Sequence, residues 1–263
     1  MLSLLLAVPL VLCQDDSVQV PDPKLVAETV ERLEKALKSG EKREKTGALD
    51  EAGKVLAPEV VKAIARGFKD SDPEVKQATI QALRWMDHPD ALGTLHRTFK
   101  TDRAIKKDEE LQASLLKAIG QHASVSSIDL LADDVFGTIE YGPIRARLLG
   151  LGRIRSKESV EALIGLLKST NQRTVDRYSG DFRLSLMVLT GTDQGPNSTA
   201  WIRWWNEHRK EFEVSAERPK LPRAETMRWT DYWGLEEDHG RTKRREDRGD
   251  DPERRRGAGS SGA

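Results

Sequence analysis

The sequence predicts an all-α fold, a short α-solenoid of about five helix pairs with an N-terminal cap helix and a disordered C-terminal tail. Three observations predict it. A pattern of small and large apolar residues occurs three times between residues 72 and 167. Within each copy the apolar residues recur at three- and four-residue spacing, which places them on one face of a helix. Charged residues make up 33% of the chain and aromatic residues only 5%, a balance typical of helical repeats with solvated outer faces.

The repeated pattern is anchored on Leu83, Ile119 and Leu151, which are separated by 36 and 32 residues. Small residues stand five and one positions before each anchor, and large apolar residues stand three before it and nine, twelve and sixteen after it. The members are Ala78, Ile80, Ala82, Leu92, Leu95 and Phe99, then Ser114, Leu116, Ala118, Ile128, Leu131 and Val135, then Ala146, Leu148, Gly150, Val160, Leu163 and Leu167. A unit of this size cannot bury its apolar stripe alone, so neighbouring units are expected to stack.

Each unit is predicted to be two helices joined by a short break such as residues 87–90. The first complete unit begins with Asp72 and Pro73; the aspartate can cap a helix, and proline suits the first helical position. Gly120 stands near the end of the first helix of the next unit. With these features the pattern resembles the HEAT-repeat family, and the resemblance implies an armadillo-like α-solenoid.

The repeat domain is predicted to span residues 41–214. Its first unit is degraded and anchored on Ala52. Residues 14–40 are expected to form a leader and the cap helix, whose Val26, Val30, Leu33 and Leu37 share one face; a lone coiled-coil strand is the alternative. The polar stretch 169–181 is expected to be a loop.

A fifth unit is predicted after this stretch, anchored on Leu189. Trp201 and Trp205 then fall at core offsets, while Trp204 does not. Core packing is favoured for the tryptophans, with a ligand platform as the alternative. The Thr-Gly-Thr-Asp run 190–193 followed by these tryptophans resembles the end of some secreted bacterial HEAT-repeat proteins, although no activity attaches to that likeness.

Residues 1–13 are predicted to be a signal peptide, because a short apolar run is followed at once by acidic residues. The protein is therefore expected to be exported, to the periplasm or the extracellular space. Ordinary cleavage after Cys13 is favoured; the alternatives are lipidation of Cys13, a buried start helix and a misassigned start codon. Since Cys13 is the only cysteine, ordinary cleavage leaves a chain that cannot form disulfides.

Residues 215–263 are predicted to be a charged, mostly disordered tail. It contains one aromatic island, Trp229, Tyr232 and Trp233, whose spacing would place the three rings on one side of a helical turn. This island is the candidate contact for a partner. The alternative is that it docks on the open C-terminal end of the solenoid.

The sequence contains no recognisable catalytic, cofactor or metal motif. The five histidines are scattered, and His122 occupies an offset that indicates the edge of the core. Lys and Arg balance Asp and Glu at 43 each, so no overall field recruits nucleic acid. We therefore expect no cofactor and no enzymatic activity, and interpret the chain as a protein–protein interaction scaffold of the cell envelope. An enzyme or a chromophore lyase-type helper built on similar repeats is the alternative.

Overall fold

The structure, a computed structural model, describes residues 21–235, and all the regular elements in this range are helical. The predicted signal peptide with Cys13, the leader up to residue 20, and the tail beyond residue 235 lie outside the described residues. The thirteen α-helices of the described range are α1 (Pro23–Ser39), α2 (Lys42–Ala52), α3 (Pro58–Ile64), α4 (Pro73–Trp85), α5 (Pro89–Thr101), α6 (Arg103–Lys107), α7 (Glu109–Gln121), α8 (Ile128–Ala132), α9 (Tyr141–Arg153), α10 (Lys157–Ser169), α11 (Gln172–Thr190), α12 (Ser198–His208) and α13 (Arg223–Trp233). Short 3-10 turns extend α3 over Ala65–Lys69 and precede α8 over Val125–Ser127.

The helices pair and stack as the repeat predicts. The first helices of the five pairs form one layer, the first-helix layer, in which each helix contacts the next one along the chain. These helices are α2, α4, α7, α9 and α11. The second helices α3, α5, α8, α10 and α12 form the second-helix layer, in which α3 contacts α5 and α10 contacts both α8 and α12. This arrangement confirms the predicted HEAT-like α-solenoid of five helix pairs.

The predicted core positions are largely buried. The three anchors Leu83, Ile119 and Leu151 are each 0% exposed. Among the other repeat positions only Ala78, Leu92 and Ser114 are half-buried rather than buried. The small residues permit close packing between first helices: a Cβ added at Gly152 of α9 would lie 2.6 Å from the Cβ of Ser185 on α11.

The helix starts follow the predicted capping chemistry. Asp72 accepts a hydrogen bond from the Glu74 amide at 2.8 Å, with Pro73 at the first position of α4. Asp22 caps α1 in the same way through the Lys24 amide, at 2.9 Å. These contacts satisfy amides that the first turn of a helix leaves without a partner.

The cap helix α1 lies within the predicted residues 14–40 and contacts both α2 and α3. Its apolar stripe is only partly covered, however. Leu33 is 1% exposed, whereas Val26, Val30 and Leu37 are half-buried.

The loop predicted over residues 169–181 is wrong, because α11 runs unbroken from Gln172 to Thr190. Asn171 caps this helix by accepting from the Thr174 amide at 3.0 Å. Val175, Tyr178 and Phe182 are buried at helical spacing. Asp176 and Arg177 between them are exposed, whereas Asp181 is buried, so the apolar stripe is sparse rather than absent.

The third helix pair departs from its neighbours in the length of its second helix. In place of a helix of about three turns, it has a 3-10 turn and the five-residue α8. The short helix α6 is inserted before the pair and packs against α7. The second-helix layer is therefore interrupted between α5 and α8.

The chain divides into two compact units at Pro219 and Lys220. In the first unit, the Arg155 guanidinium donates to the carbonyl oxygens of Ser215 and, at 2.9 Å, of Glu217. The described part of the second unit contains α13, so the aromatic island belongs to a helix. None of the helices between residues 21 and 235 is long and apolar enough to cross a membrane.

Candidate functional site

The interruption of the second-helix layer produces a cleft of about 710 Å³ between α5, α6 and α8, which we call the central cleft. Its lining residues are His96, Phe99, Lys100, Lys106, Ser126, Asp129, Leu130, Ala132 and Asp133. The cleft exists because α8 ends after five residues and the chain turns away at Asp133. A second helix of ordinary length would fill this space.

The two walls of the central cleft carry opposite charge. Lys100 of α5 and Lys106 of α6 stand on one wall, while Asp129 and Asp133 stand on the other, at α8. The Lys106 ammonium lies 5.3 Å from the centroid of the Phe99 ring, within the range of a cation–π contact. The cleft therefore offers a small aliphatic floor, formed by the half-buried Leu130 and Ala132, with a cationic and an anionic side.

His96 is the most buried titratable side chain among the residues that line the central cleft. Its Nε2 lies 2.9 Å from the Ser127 hydroxyl oxygen. Burial lowers the pKa of His96, and the positive charges of Lys100 and His122 lower it further. Ser127 is 0% exposed, so its hydroxyl does not face the cleft, and the pair is not placed to attack a substrate there.

Arg147 of α9 holds α8 in position behind the cleft. Its Nη1 donates to the carbonyl oxygens of Leu130 at 2.7 Å, Asp133 at 2.8 Å and Leu131 at 3.3 Å. The guanidinium also lies 5.2 Å from the Phe99 ring centroid. Burial lowers the pKa of Arg147, with Asp133 and Asp134 opposing the shift. The repeat pattern did not predict this role, because Arg147 is one of two arginines, with Arg145, between the buried Ile144 and Leu148.

A second cavity, the N-terminal groove, lies between α1 and the start of α3. It has a volume of about 800 Å³ and is lined by Pro21, Pro23, Val26, Ala27, Val30, Leu56, Ala57 and Pro58, with Glu31, Glu34 and Glu59 beside them. Arg66 forms an ion pair with Glu34. The uncovered half of the α1 stripe forms one wall of this groove.

A cluster of basic side chains lies along the first-helix layer. Burial, reinforced by the charges of Arg84 and Arg145, lowers the pKa of Lys117 to about 8. Burial together with Arg218 and Arg84 lowers the pKa of Arg153 to about 10. Burial is the larger cause of both shifts, and Arg84 on α4 adds to both of them.

Two further histidines, His122 and His88, have structural contacts. Nε2 of His122 lies 3.0 Å from the carbonyl oxygen of Leu83, and the side chain is half-buried, as its offset predicted. His88 caps α5, accepting from the Asp90 amide at 3.1 Å. Within residues 21–235, no group of three or more His, Cys, Asp or Glu side chains could hold a metal ion.

The tryptophans of the fifth unit are placed as predicted. Trp201 and Trp205 are buried, and Trp204 is half-buried. The Trp201 indole donates to the Gly195 carbonyl oxygen at 2.8 Å. Trp204 stacks on His208, with ring centroids 4.9 Å apart. Core packing of Trp201 and Trp205 is thereby confirmed.

The predicted partner contact, Trp229, Tyr232 and Trp233, lies on α13. Trp229 and Trp233 are buried and Tyr232 is half-buried. The Trp229 and Tyr232 rings each meet the Trp233 ring edge-on, at centroid distances of 5.7 and 5.0 Å. That these rings contact a partner stays a prediction.

In a comparison with family models, residues 30–107 match the model of HEAT repeats. The matched stretch runs from the middle of α1 through α6 and covers less than half of the chain. The two sequence repeats anchored on Ile119 and Leu151 lie beyond it. A comparison with curated proteins finds no significant match. The chain is thus similar to HEAT repeats over its first two helix pairs, and the two stacked layers of helices continue through α11 and α12.

Proposed function

We propose that this protein is a non-catalytic scaffold that binds a segment of another protein in the central cleft. HEAT repeats generally mediate protein–protein interaction, and the match to their family model supports this class of function. The observation that carries the proposal is the gap between α5 and α8. It leaves apolar side chains accessible between walls of opposite charge.

The chemistry of the cleft favours a polypeptide ligand. A peptide presents carboxylates, ammonium groups and apolar side chains within a few ångströms of one another. Its acidic groups would face Lys100 and Lys106, its basic groups would face Asp129 and Asp133, and an apolar side chain would rest against the half-buried Leu130 and Ala132. Matched charges of this kind set orientation and specificity more than total affinity.

The test is site-specific photo-crosslinking in cells that produce the protein naturally. A photoreactive residue replaces Lys100 in the cleft, and in a separate variant replaces Lys62, which is exposed on α3 of the same layer. We expect a protein adduct from position 100 that is absent or much weaker from position 62. The same adducts at equal yield from both positions would contradict the proposal.

We also propose that the scaffold works outside the cytoplasm, on the strength of the apolar run in residues 1–13. N-terminal sequencing of the natively produced protein should then begin near Gln14. An intact Met1 on a cytoplasmic product would show that the chain is not exported.

A further inference from the structure

The N-terminal groove is an apolar surface at the end of the solenoid that the cap helix does not close. A terminal helix normally covers the apolar face of the first repeat and is polar outside. Here Leu33 makes that contact, while Val30 and Val26, one and two turns earlier on the same stripe, remain half-buried beside Pro58. Leu56 completes the opposite wall and is 37% exposed.

The size of the groove suits a short segment of protein. Its volume of about 800 Å³ falls within the range of small-ligand and peptide sites. Eight side chains of the lining are apolar and none is aromatic. Such a surface binds aliphatic side chains through burial rather than through directed hydrogen bonds.

The charge at the groove is acidic. Glu31 of α1 and Glu59 of α3 are exposed on opposite sides of the apolar floor, and Glu34 is already paired with Arg66. Carboxylates beside an apolar surface favour a ligand with lysine or arginine next to its apolar residues.

We propose that the N-terminal groove binds a short aliphatic segment of a protein partner that is flanked by lysine or arginine residues. Charge complementarity disfavours two other occupants. The chain's own residues 14–20 carry Asp15 and Asp16, which match the sign of the rim. The same groove of a second copy would bring its glutamates against Glu31 and Glu59. This inference stands on a site separate from the central cleft, so either can fail without the other.

The experiment measures binding of fluorescent synthetic peptides to the chain that begins at Gln14. One peptide has eight leucine, valine and alanine residues between paired lysines, and the matched peptide has glutamates in place of the lysines. The variants are Val30→Asp in the floor and Glu31→Lys with Glu59→Lys at the rim. The matched control is Leu25→Asp, on the same helix, 45% exposed and outside the groove lining.

We expect the lysine-flanked peptide to bind more tightly than the glutamate-flanked one, with a preference that weakens as salt is raised. Val30→Asp should weaken binding by about tenfold or more, while Leu25→Asp leaves it unchanged. The rim reversal, which leaves the floor intact, should invert the preference between the two peptides. Circular dichroism and thermal melts establish that each variant is folded.

Three results would overturn the proposal. Equal affinity for the two peptides in the parent chain would remove the role of the glutamates. Tighter peptide binding after deletion of residues 14–20 would assign the groove to the chain's own leader. Self-association in sedimentation velocity that Val30→Asp abolishes would assign it to a second copy.

Discussion

The contact between Gly152 of α9 and Ser185 of α11 makes the stacking of the first-helix layer measurable. In Gly152→Ala the added Cβ would lie 2.6 Å from the Ser185 Cβ and 2.7 Å from its Cα. Because one of these atoms belongs to the backbone, a change of side-chain rotamer cannot relieve the clash, and α9 and α11 must move apart. The substitution therefore tests whether these helices approach each other closely.

The expected loss of stability is about 1–3 kcal/mol. Overpacking of a well-packed core costs about 1–3 kcal/mol. Displacing Ser185 also strains its buried hydrogen bond to the Leu148 carbonyl oxygen, which is 2.8 Å long, at a cost of about 1 kcal/mol. The better helix propensity of alanine offsets about 1 kcal/mol of this sum.

Urea denaturation followed by circular dichroism measures the difference, with Gly165→Ala as the matched control. Gly165 lies on α10 with nothing within 4 Å of an added Cβ, so alanine there should stabilise by about 1 kcal/mol. The two variants should shift the midpoint in opposite directions. If both stabilise the protein equally, the close packing of α9 on α11 is refuted.

Three further perturbations test other parts of the structure. Arg147→Met should lower the free energy of unfolding by about 2 kcal/mol, because it leaves carbonyl oxygens of the α8 segment without their charged donor. Amides in residues 128–133 should also exchange faster with solvent, and unchanged exchange would contradict the role of Arg147. Trp201→Ala should cost about 3–5 kcal/mol in a denaturant melt, and Trp204→Ala clearly less; equal small losses would indicate a surface platform. The lowered pKa of Lys117 means that the unfolded chain holds this proton to higher pH than the folded protein. The free energy of unfolding should therefore rise from about pH 8 toward the ordinary lysine pKa of 10.5. Thermal melts across this pH range should show a smaller rise for Lys117→Met than for the parent protein. An identical pH profile for the two proteins would contradict the lowered pKa of Lys117.

The sequence predicted those features of the fold that depend on local pattern. The apolar offsets around Leu83 and Ile119 located the helix pairs, and Asp22 and Asp72 located two helix starts through their capping chemistry. These signals are local because a helix face and a cap are set within a few residues. The α11 start was missed because Val175 and Tyr178 are separated by charged residues, which hid a sparse stripe.

The candidate sites could not be predicted from the same pattern. The central cleft depends on the early end of α8, although Ile128, Leu131 and Val135 continue the apolar offsets of a full second helix. The N-terminal groove depends on how far α3 covers α1. The spacing of Val26 and Val30 in the sequence is the same whether α3 covers these residues or leaves them accessible. Both cavities arise from the spacing between elements that are distant along the chain, which local periodicity does not encode.

The measurement that tests the proposed function most directly is hydrogen exchange on the complex of the protein with the partner that crosslinking identifies. Neither protein carries a photoreactive residue or a crosslink, and the free protein is the reference. A partner segment in the central cleft should slow exchange in residues 96–106 and 126–133, which form its two walls. Protection should be smaller over α10, which belongs to the same layer but does not line the cleft. Slowed exchange confined to other segments, with the walls of the cleft unchanged, would contradict the account.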